Sequence, residues 1–217
     1  MKQSHTPLIL ASASPRRQAF LQMLNLKFTI QAADIDESPY IDEAPSQLVQ
    51  RLSQEKARVI GLQHPNSVVI GADTIVVLGS QILGKPRDET QAYQMLSQLR
   101  GQNHDVYSAI TFWKIHDQKR QTYLSQTTVT MRPYTDDEIN TYISTGDPMD
   151  KAGAYAIQHV DFAPVAKLVG CYAGVVGLPL GYLVEGLSEF GVSVSNIGRK
   201  CAAITDQSCC QDSISNR

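Results

Sequence analysis

Short apolar runs alternate along the chain with longer stretches in which apolar residues recur every three or four positions, the pattern of strands interleaved with helices. Leu8 to Ala11 reads as a buried strand, and Ser14-Pro15 as the N-cap and first position of a helix reaching about Leu24. Lys27 to Ile30 predicts a second strand, followed by an acidic, irregular segment from Asp34 to Glu43. From about Ser46 to Leu62 a helix gathers Leu48, Val49, Leu52, Val59 and Ile60 on one face. Ser67 to Ile70 predicts a strand, and Thr74 to Leu78 and Gln81 to Leu83 flank Gly79-Ser80, a two-residue hairpin signal.

Asp88 caps a helix carrying Ala92, Met95, Leu96 and Leu99, which Gly101 stops. Val106 to Ile115 and Gln121 to Met131 form a long hairpin about Asp117-Gln118-Lys119. Thr135 and Glu138 make a capping box for a helix with Ile139, Tyr142 and Ile143, ended by Gly146. Ala154 to Gln158 and the Gly-rich stretch 170–178 predict further strand, and Gly181 to Phe190 a last helix. Strands mixed with crossover helices and a hairpin predict an α/β fold with a mixed sheet, in two lobes. Residues 1–196 are expected to form this one domain, and the polar residues 197–217 a disordered tail.

Charge narrows the partners. Nineteen basic residues against 21 acidic ones leave a net −2, so no global basic field suits a nucleic acid, and an anion site has to be a local cluster. Four cysteines, of which Cys201, Cys209 and Cys210 fall near the C-terminus, have neither metal-ligand spacing nor the density of a disulfide framework. A reducing, cytoplasmic location is the expectation. The first residues hold too short an apolar stretch for a signal peptide. The longest uncharged run, Leu168 to Val184, is broken by Gly170, Gly174, Gly177, Pro179 and Gly181, which reads as buried strand and turn and not as a membrane span.

Four segments carry candidate chemistry. Ser12-Ala13-Ser14-Pro15-Arg16-Arg17 runs from a strand into a capped helix start, where free N–H groups and the helix dipole favour an anion. Guanidinium forks match phosphate oxygens, so Ser12, Ser14, Arg16 and Arg17 either cradle a phosphate or form an ordinary cap with solvated arginines. Lys56 interrupts the apolar stripe of its helix, and periodicity leaves open whether it snorkels or meets an anion. Asp73 lies between two apolar runs; a two-residue turn at Gly79-Ser80 sets Thr74 opposite Lys85, within reach of Asp73. Asp150-Lys151 leads from a turn toward Gln158 and reads either as part of a site or as a solvated ion pair. Together Arg16, Arg17, Lys56, Lys85 and Lys151 with Glu37, Asp73 and Asp150 make the set that a polyphosphate and a divalent metal require. No Walker A, GxGxxG or GxSxG sequence occurs.

From Leu8 to Asn196 the chain resembles the Maf family of nucleoside triphosphate pyrophosphatases, on six motifs in order: SASPRR (12–17), DIDES (34–38), QEKA (54–57), GADTIVVLGSQILGKPRD (71–88), GDPMDKAGAYAIQ (146–158) and GCYAGVVGLPL (170–180). The resemblance implies an elongated two-lobed α/β fold with a cleft between the lobes, often a homodimer. It also implies hydrolysis of a nucleoside triphosphate to the monophosphate and pyrophosphate with Mg²⁺ or Mn²⁺. It makes Asp73 the proton acceptor and associates Arg16, Thr74 and Gln158 with base specificity. Ser12, Arg17, Glu37, Lys56, Lys85, Asp150 and Lys151 fall at polar positions of the cleft, with Glu37 and Asp73 expected at the metal. The AGAYAIQ segment is similar to that of members acting on dTTP and UTP, although Ala156 and His159 stand where glycine is usual. The alternatives are a pyrophosphatase for other or modified nucleotides and a non-catalytic nucleotide-binding regulator of division. Only the last of these would not need Asp73 and Glu37.

Overall fold

The computed structural model describes residues 6–192 and 194, so the expected tail, 197–217, lies outside the described residues. A seven-stranded mixed sheet forms the middle layer. Its strands are β1 (Leu8–Leu10), β2 (Thr29–Ile30), β3 (Val68–Leu78), β4 (Gln81–Leu83), β5 (Asn103–Lys114), β6 (Lys119–Met131) and β7 (Val165–Val169). The spatial order is β2-β1-β3-β5-β6-β7, with β4 added to β3. β1 runs parallel to β2 and β3, and every other pairing is antiparallel.

The helices are α1 (Pro15–Met23), α2 (Pro45–Gln63), α3 (Glu89–Leu99), α4 (Asp136–Ser144), α5 (Tyr172–Val176) and α6 (Leu180–Glu189). Alternation along β3 decides which of them meets which face. Val69, Ile75 and Val77 point to one side, where α2 covers them with Leu48, Leu52, Ala57 and Ile60. Val68, Ile70 and Ala72 point to the other, against Phe20 and Leu21 of α1, Leu24 at its C-cap, and Leu180, Leu183 and Leu187 of α6. Further along that same face Val76 packs with Leu96 and Leu99 of α3 and Ile139 and Tyr142 of α4. Two helical groups therefore share one face of the sheet, one at each end of β3, as the expected two lobes. The seam between them passes over Thr74.

α2 comes unusually close to the sheet at Gly71. A Cβ there would lie 2.1 Å from the Ser53 carbonyl oxygen and 2.7 Å from the Ala57 nitrogen, so only glycine fits. Ser53 Oγ also pairs with Thr111 Oγ1 of β5 at 2.8 Å, within the same buried contact. This approach lowers the middle of α2, and with it Lys56, onto β3.

Four expectations need correction. β3 does not break at Gly71 to Asp73 but runs on as one strand, because β5 pairs it continuously from Val69 to Val77. The β3–β4 ladder ends at Val76 opposite Leu83, so Thr74 does not face Lys85; Thr74 stands across from Ser108 instead. Residues 154–158 are not strand: Gly153 and Ala154 take φ of +70° and +58°, which closes a 3-10 turn over Ala152–Ala154. The 170–178 stretch forms the short helix α5, capped by the Cys171 sulfur on Gly174 N–H, and the edge strand is Val165–Val169 just before it.

One buried residue couples this core to pH. His104 on β5 is 3% exposed, its Nε2 bonds the Tyr155 hydroxyl at 2.8 Å, and its Nδ1 is without a partner. Burial pushes the imidazole down to about 4 from the usual 6.5. Below pH 6.5 the unfolded chain takes up a proton that the folded one refuses, so stability present at pH 7 is lost as pH falls toward 4. At ~1.36 kcal/mol per pKa unit the loss is about 3 kcal/mol. Denaturant melts between pH 4 and 7 should show this slope, and His104→Gln should flatten it; an unchanged slope would assign the acid sensitivity to other groups.

Candidate active site

β1 and β4 lie on the same side of β3, pairing with Val68–Ile70 and Val76–Leu78, while β5 occupies the other side. Between them, among the described residues, the edge of β3 from Gly71 to Ile75 carries no strand. A cleft of about 520 Å³ opens at this notch, beyond the carboxyl end of β1 and beside the first turn of α1. Ser14, Arg16, Arg17, Glu37, Lys56, Asp73, Thr74, Lys85, Asp150, Lys151 and Gln158 all line it. Ser12 lies just beneath, 7% exposed, its Oγ accepting from Ser14 N–H and Arg17 Nη1 at 3.2 Å each. Residues scattered over 147 positions of the sequence are thus gathered at one place.

Asp73 points to the α2 face. Its Oδ1 accepts from Lys56 Nζ at 2.6 Å, and Glu37 Oε1 meets the same ammonium at 2.6 Å. Lys56 neither snorkels to solvent nor sits idle; it is 8% exposed and bridges two carboxylates. Asp73 is 6% exposed, Glu37 far more open. Burial raises the Asp73 carboxyl above the ordinary aspartate range, although Lys56 and Arg17 pull the other way.

Thr74 points to the opposite face, at the seam. Its Oγ1 bonds Ser108 Oγ at 2.8 Å, and Ser108 donates on to the Gly174 carbonyl at 2.6 Å. Arg17 reaches into the same seam from α1. It donates to the carbonyls of Gly177 and Ala72 at 2.9 Å each, to Ser12 Oγ and to Thr74 Oγ1. Four of its five N–H donors are thereby taken by neutral protein groups. Burial lowers its pKa, with Asp73 opposing. Arg17 ties the end of β1, the middle of β3 and the end of α5 together and brings a cation to the cleft, with no carboxylate within 4 Å of it among the described residues.

Ser14 occupies the N-cap of α1 and Pro15 its first position, yet the Ser14 hydroxyl caps no N–H of the helix. It faces the cleft. Arg16 crosses the opening to Asp150 at 2.8 Å, and Lys151, 7% exposed, donates to Asp150 Oδ1 at 2.6 Å and Asp147 Oδ1 at 2.8 Å. Lys85 and Gln158 are exposed on the rim, and among the described residues no carboxylate lies within 4 Å of the Lys85 ammonium. The pairing of Lys85 with Asp73 expected from the hairpin is therefore absent, because the chain leaves the ladder at Gly84; Lys56 fills that place.

Among the described residues no three acidic, histidine or cysteine side chains cluster as a metal cage. The donor set nonetheless suits a hard divalent ion. Mg²⁺ is commonly held by one or two carboxylates plus substrate phosphates and waters, and Asp73 and Glu37 already converge on one cation, the Lys56 ammonium.

Several residues of the site carried no signal in the sequence. Tyr142 donates to Asp147 Oδ2 at 2.7 Å and accepts from Ala156 N–H at 3.0 Å, which pins both ends of the loop bearing Lys151. Tyr155 anchors that loop on His104. Tyr142 read as core, and its stripe position is indeed buried.

A mixed sheet with helices on both faces, and a cleft at a notched strand edge lined by acids and cations, defines an α/β protein with a charged cleft. The chain belongs to the Maf-like protein family, whose model matches residues 7–190. It is similar to a dTTP/UTP pyrophosphatase of Myxococcus xanthus (strain DK1622), 45% identical over 192 residues, 88% of this chain and 96% of that protein. It is also similar to dTTP/UTP pyrophosphatases of Desulforamulus reducens (43% over 188 residues, 87% and 98%) and Halalkalibacterium halodurans (44% over 187 residues, 86% and 97%).

Proposed function

We propose that the protein is a nucleoside triphosphate pyrophosphatase that hydrolyses dTTP and UTP to the monophosphate and pyrophosphate, in the cytoplasm and with Mg²⁺ or Mn²⁺. The observation that carries this reading is Asp73: a buried carboxylate with a raised pKa, set on an open strand edge among cations. The names of relatives 40–45% identical supply the substrate class.

A water placed against Asp73 attacks the α-phosphorus. The new P–O bond forms as the bond to the bridging oxygen breaks, and pyrophosphate leaves. Asp73 Oδ1 holds Lys56, so Oδ2 is the oxygen left to take the proton of that water. Lys56 keeps the carboxylate turned toward the cleft, and Lys85 on the rim offsets charge on the departing pyrophosphate. Arg17 braces the β3 edge and adds a fixed positive potential. Glu37, with Asp73 through the oxygen that does not receive the proton, would hold the metal, which when bound would offset phosphate charge and polarise the phosphoryl group. Arg16, held by Asp150, and Ser14 flank the same space.

Gln158 is the base reader of this scheme. Its amide accepts from N3–H and donates to O4 of uracil or thymine. Pyrophosphate release from a panel of nucleoside triphosphates tests the assignment, with dTTP and UTP expected to lead. Gln158→Glu places a carboxylate oxygen against O4 and should lower kcat/KM for UTP and dTTP more than for CTP, by roughly 1–3 kcal/mol. Equal proportional losses for all three would remove Gln158 as the reader.

A further inference from the structure

The segment that brings Glu37 to the cleft has no regular structure. Residues 31–44, between β2 and α2, run largely exposed and are bonded locally by Ser38 N–H to Asp36 Oδ1 at 2.9 Å and by Tyr40 N–H to Glu43 Oε2 at 3.0 Å. The tip is open, with Ile41 95% exposed. The Glu37 side chain is 59% exposed, so its ion pair with Lys56 is mostly in water and too weak by itself to hold a loop.

A second contact holds it. Arg51 of α2 forks onto Glu43, Nε to Oε1 at 2.7 Å and Nη2 to Oε2 at 2.8 Å. The same Nη2 donates to the Ser38 carbonyl at 2.9 Å, and the guanidinium lies 3.9 Å from the centroid of the Tyr40 ring. One side chain thus grips residues 38, 40 and 43 through a bidentate ion pair, a backbone bond and a cation–π contact. Arg51 is not among the residues lining the cleft. Its helix is the one that carries Lys56, so the clamp and the lysine share a rigid frame.

We propose that Arg51 is a positioning residue for the reaction: by clamping residues 38–43 to α2 it holds Glu37, one residue before the Ser38 bond, against Lys56 and Asp73. The inference rests on the reading that Glu37 serves the site. Lysine cannot replace Arg51, because a single ammonium cannot fork onto Glu43, reach the Ser38 carbonyl and stack on Tyr40 together. Sequence periodicity shows only a charged residue on the solvent side of a helix.

A double-mutant cycle tests the inference, with dTTP as substrate and Mn²⁺ binding followed by electron paramagnetic resonance without nucleotide. Arg51→Met should lower kcat/KM about tenfold and weaken Mn²⁺ binding severalfold, and Glu37→Gln should lose at least as much. In Arg51→Met/Glu37→Gln the loss should equal that of Glu37→Gln alone, since a clamp has nothing left to position. Multiplying losses would overturn the proposal by showing that Arg51 acts independently of Glu37, as would wild-type values for Arg51→Met. If Glu37→Gln alone keeps wild-type kcat/KM and Mn²⁺ affinity, the reading of Glu37 fails, a result obtained with Arg51 intact and so distinct. Arg51→Lys, which keeps the charge, carries the same cycle should the methionine variant not fold.

Discussion

Asp73→Asn lowers kcat for dTTP and UTP by about 10²–10⁴-fold while the folded structure persists. The amide is nearly isosteric, and its oxygen still accepts from Lys56 where Asp73 Oδ1 does at 2.6 Å. What is lost is the ability to take a proton at neutral pH. The fold should persist, because Lys56 keeps Glu37 as a charged partner at 2.6 Å and the amide removes the desolvation cost of the buried carboxylate. Pyrophosphate release in a coupled assay gives kcat, and near-ultraviolet circular dichroism reports the packing. A folded variant with wild-type kcat would exclude Asp73 as the base. Absence of pyrophosphate release from the wild-type protein itself would instead favour a protein that merely binds nucleotide, since binding needs the cations of the cleft and not this acid.

The site was more legible in the sequence than the strand edges that build it. Four of the candidate residues stood out because they broke a local rule: two arginines where a helix start favours acids, a lysine in an apolar stripe, an aspartate between apolar runs; the specificity roles of Thr74 and Gln158 came only with the family resemblance. Eleven of the twelve line one cleft, with Ser12 just behind. Long periodic elements such as α2 and the β5–β6 hairpin were equally plain, since many residues agree on one period. The short pieces were not. β7 has five residues, with Ala166 and Lys167 exposed, and its place follows from its ladder with β6 from Thr128 to Met131 and from Val165 and Leu168 packing on the core. The turn at Gly153-Ala154 depends on two successive positive φ angles and on Gly153 N–H reaching the Gly84 carbonyl at 3.0 Å. Nothing local to alanine announces a left-handed conformation. The partner of Asp73 was likewise decided by tertiary packing. Gly71 lets α2 settle on β3, and that contact selects Lys56 over Lys85.

Lys56→Met shows how far that packing overrules periodicity. With Leu52, Val59 and Ile60 as neighbours on the helical stripe, an apolar side chain of similar length looks harmless or stabilising. The structure reverses the expectation, because the ammonium faces Asp73, which is 6% exposed. Methionine leaves that carboxylate without its contacting cation, and breaking a buried pair from one side is costly. We expect a loss of about 3 kcal/mol at pH 7, the lower end for such pairs because Asp73 borders a cleft. For a chain of this size that lowers Tm by ~6–12 °C. The cost should depend on pH with a definite sign. Burial already holds the folded-state pKa of Asp73 above the ordinary aspartate value of 3.8, and removing Lys56 raises it further. A raised carboxyl pKa means that the folded protein keeps a proton which the unfolded chain has released. The deficit relative to wild type is therefore largest at neutral pH and shrinks as pH falls through the raised pKa toward 3.8. Asp73→Asn in the same chain should recover most of the loss, because the amide has no charge to compensate. Thermal melts of the two single variants and the double variant between pH 5 and 8 give all of these comparisons. A Lys56→Met protein as stable as wild type at pH 7, or one equally destabilised with Asp73 and with Asn at position 73, would show that the lysine contributes its methylenes and not its charge.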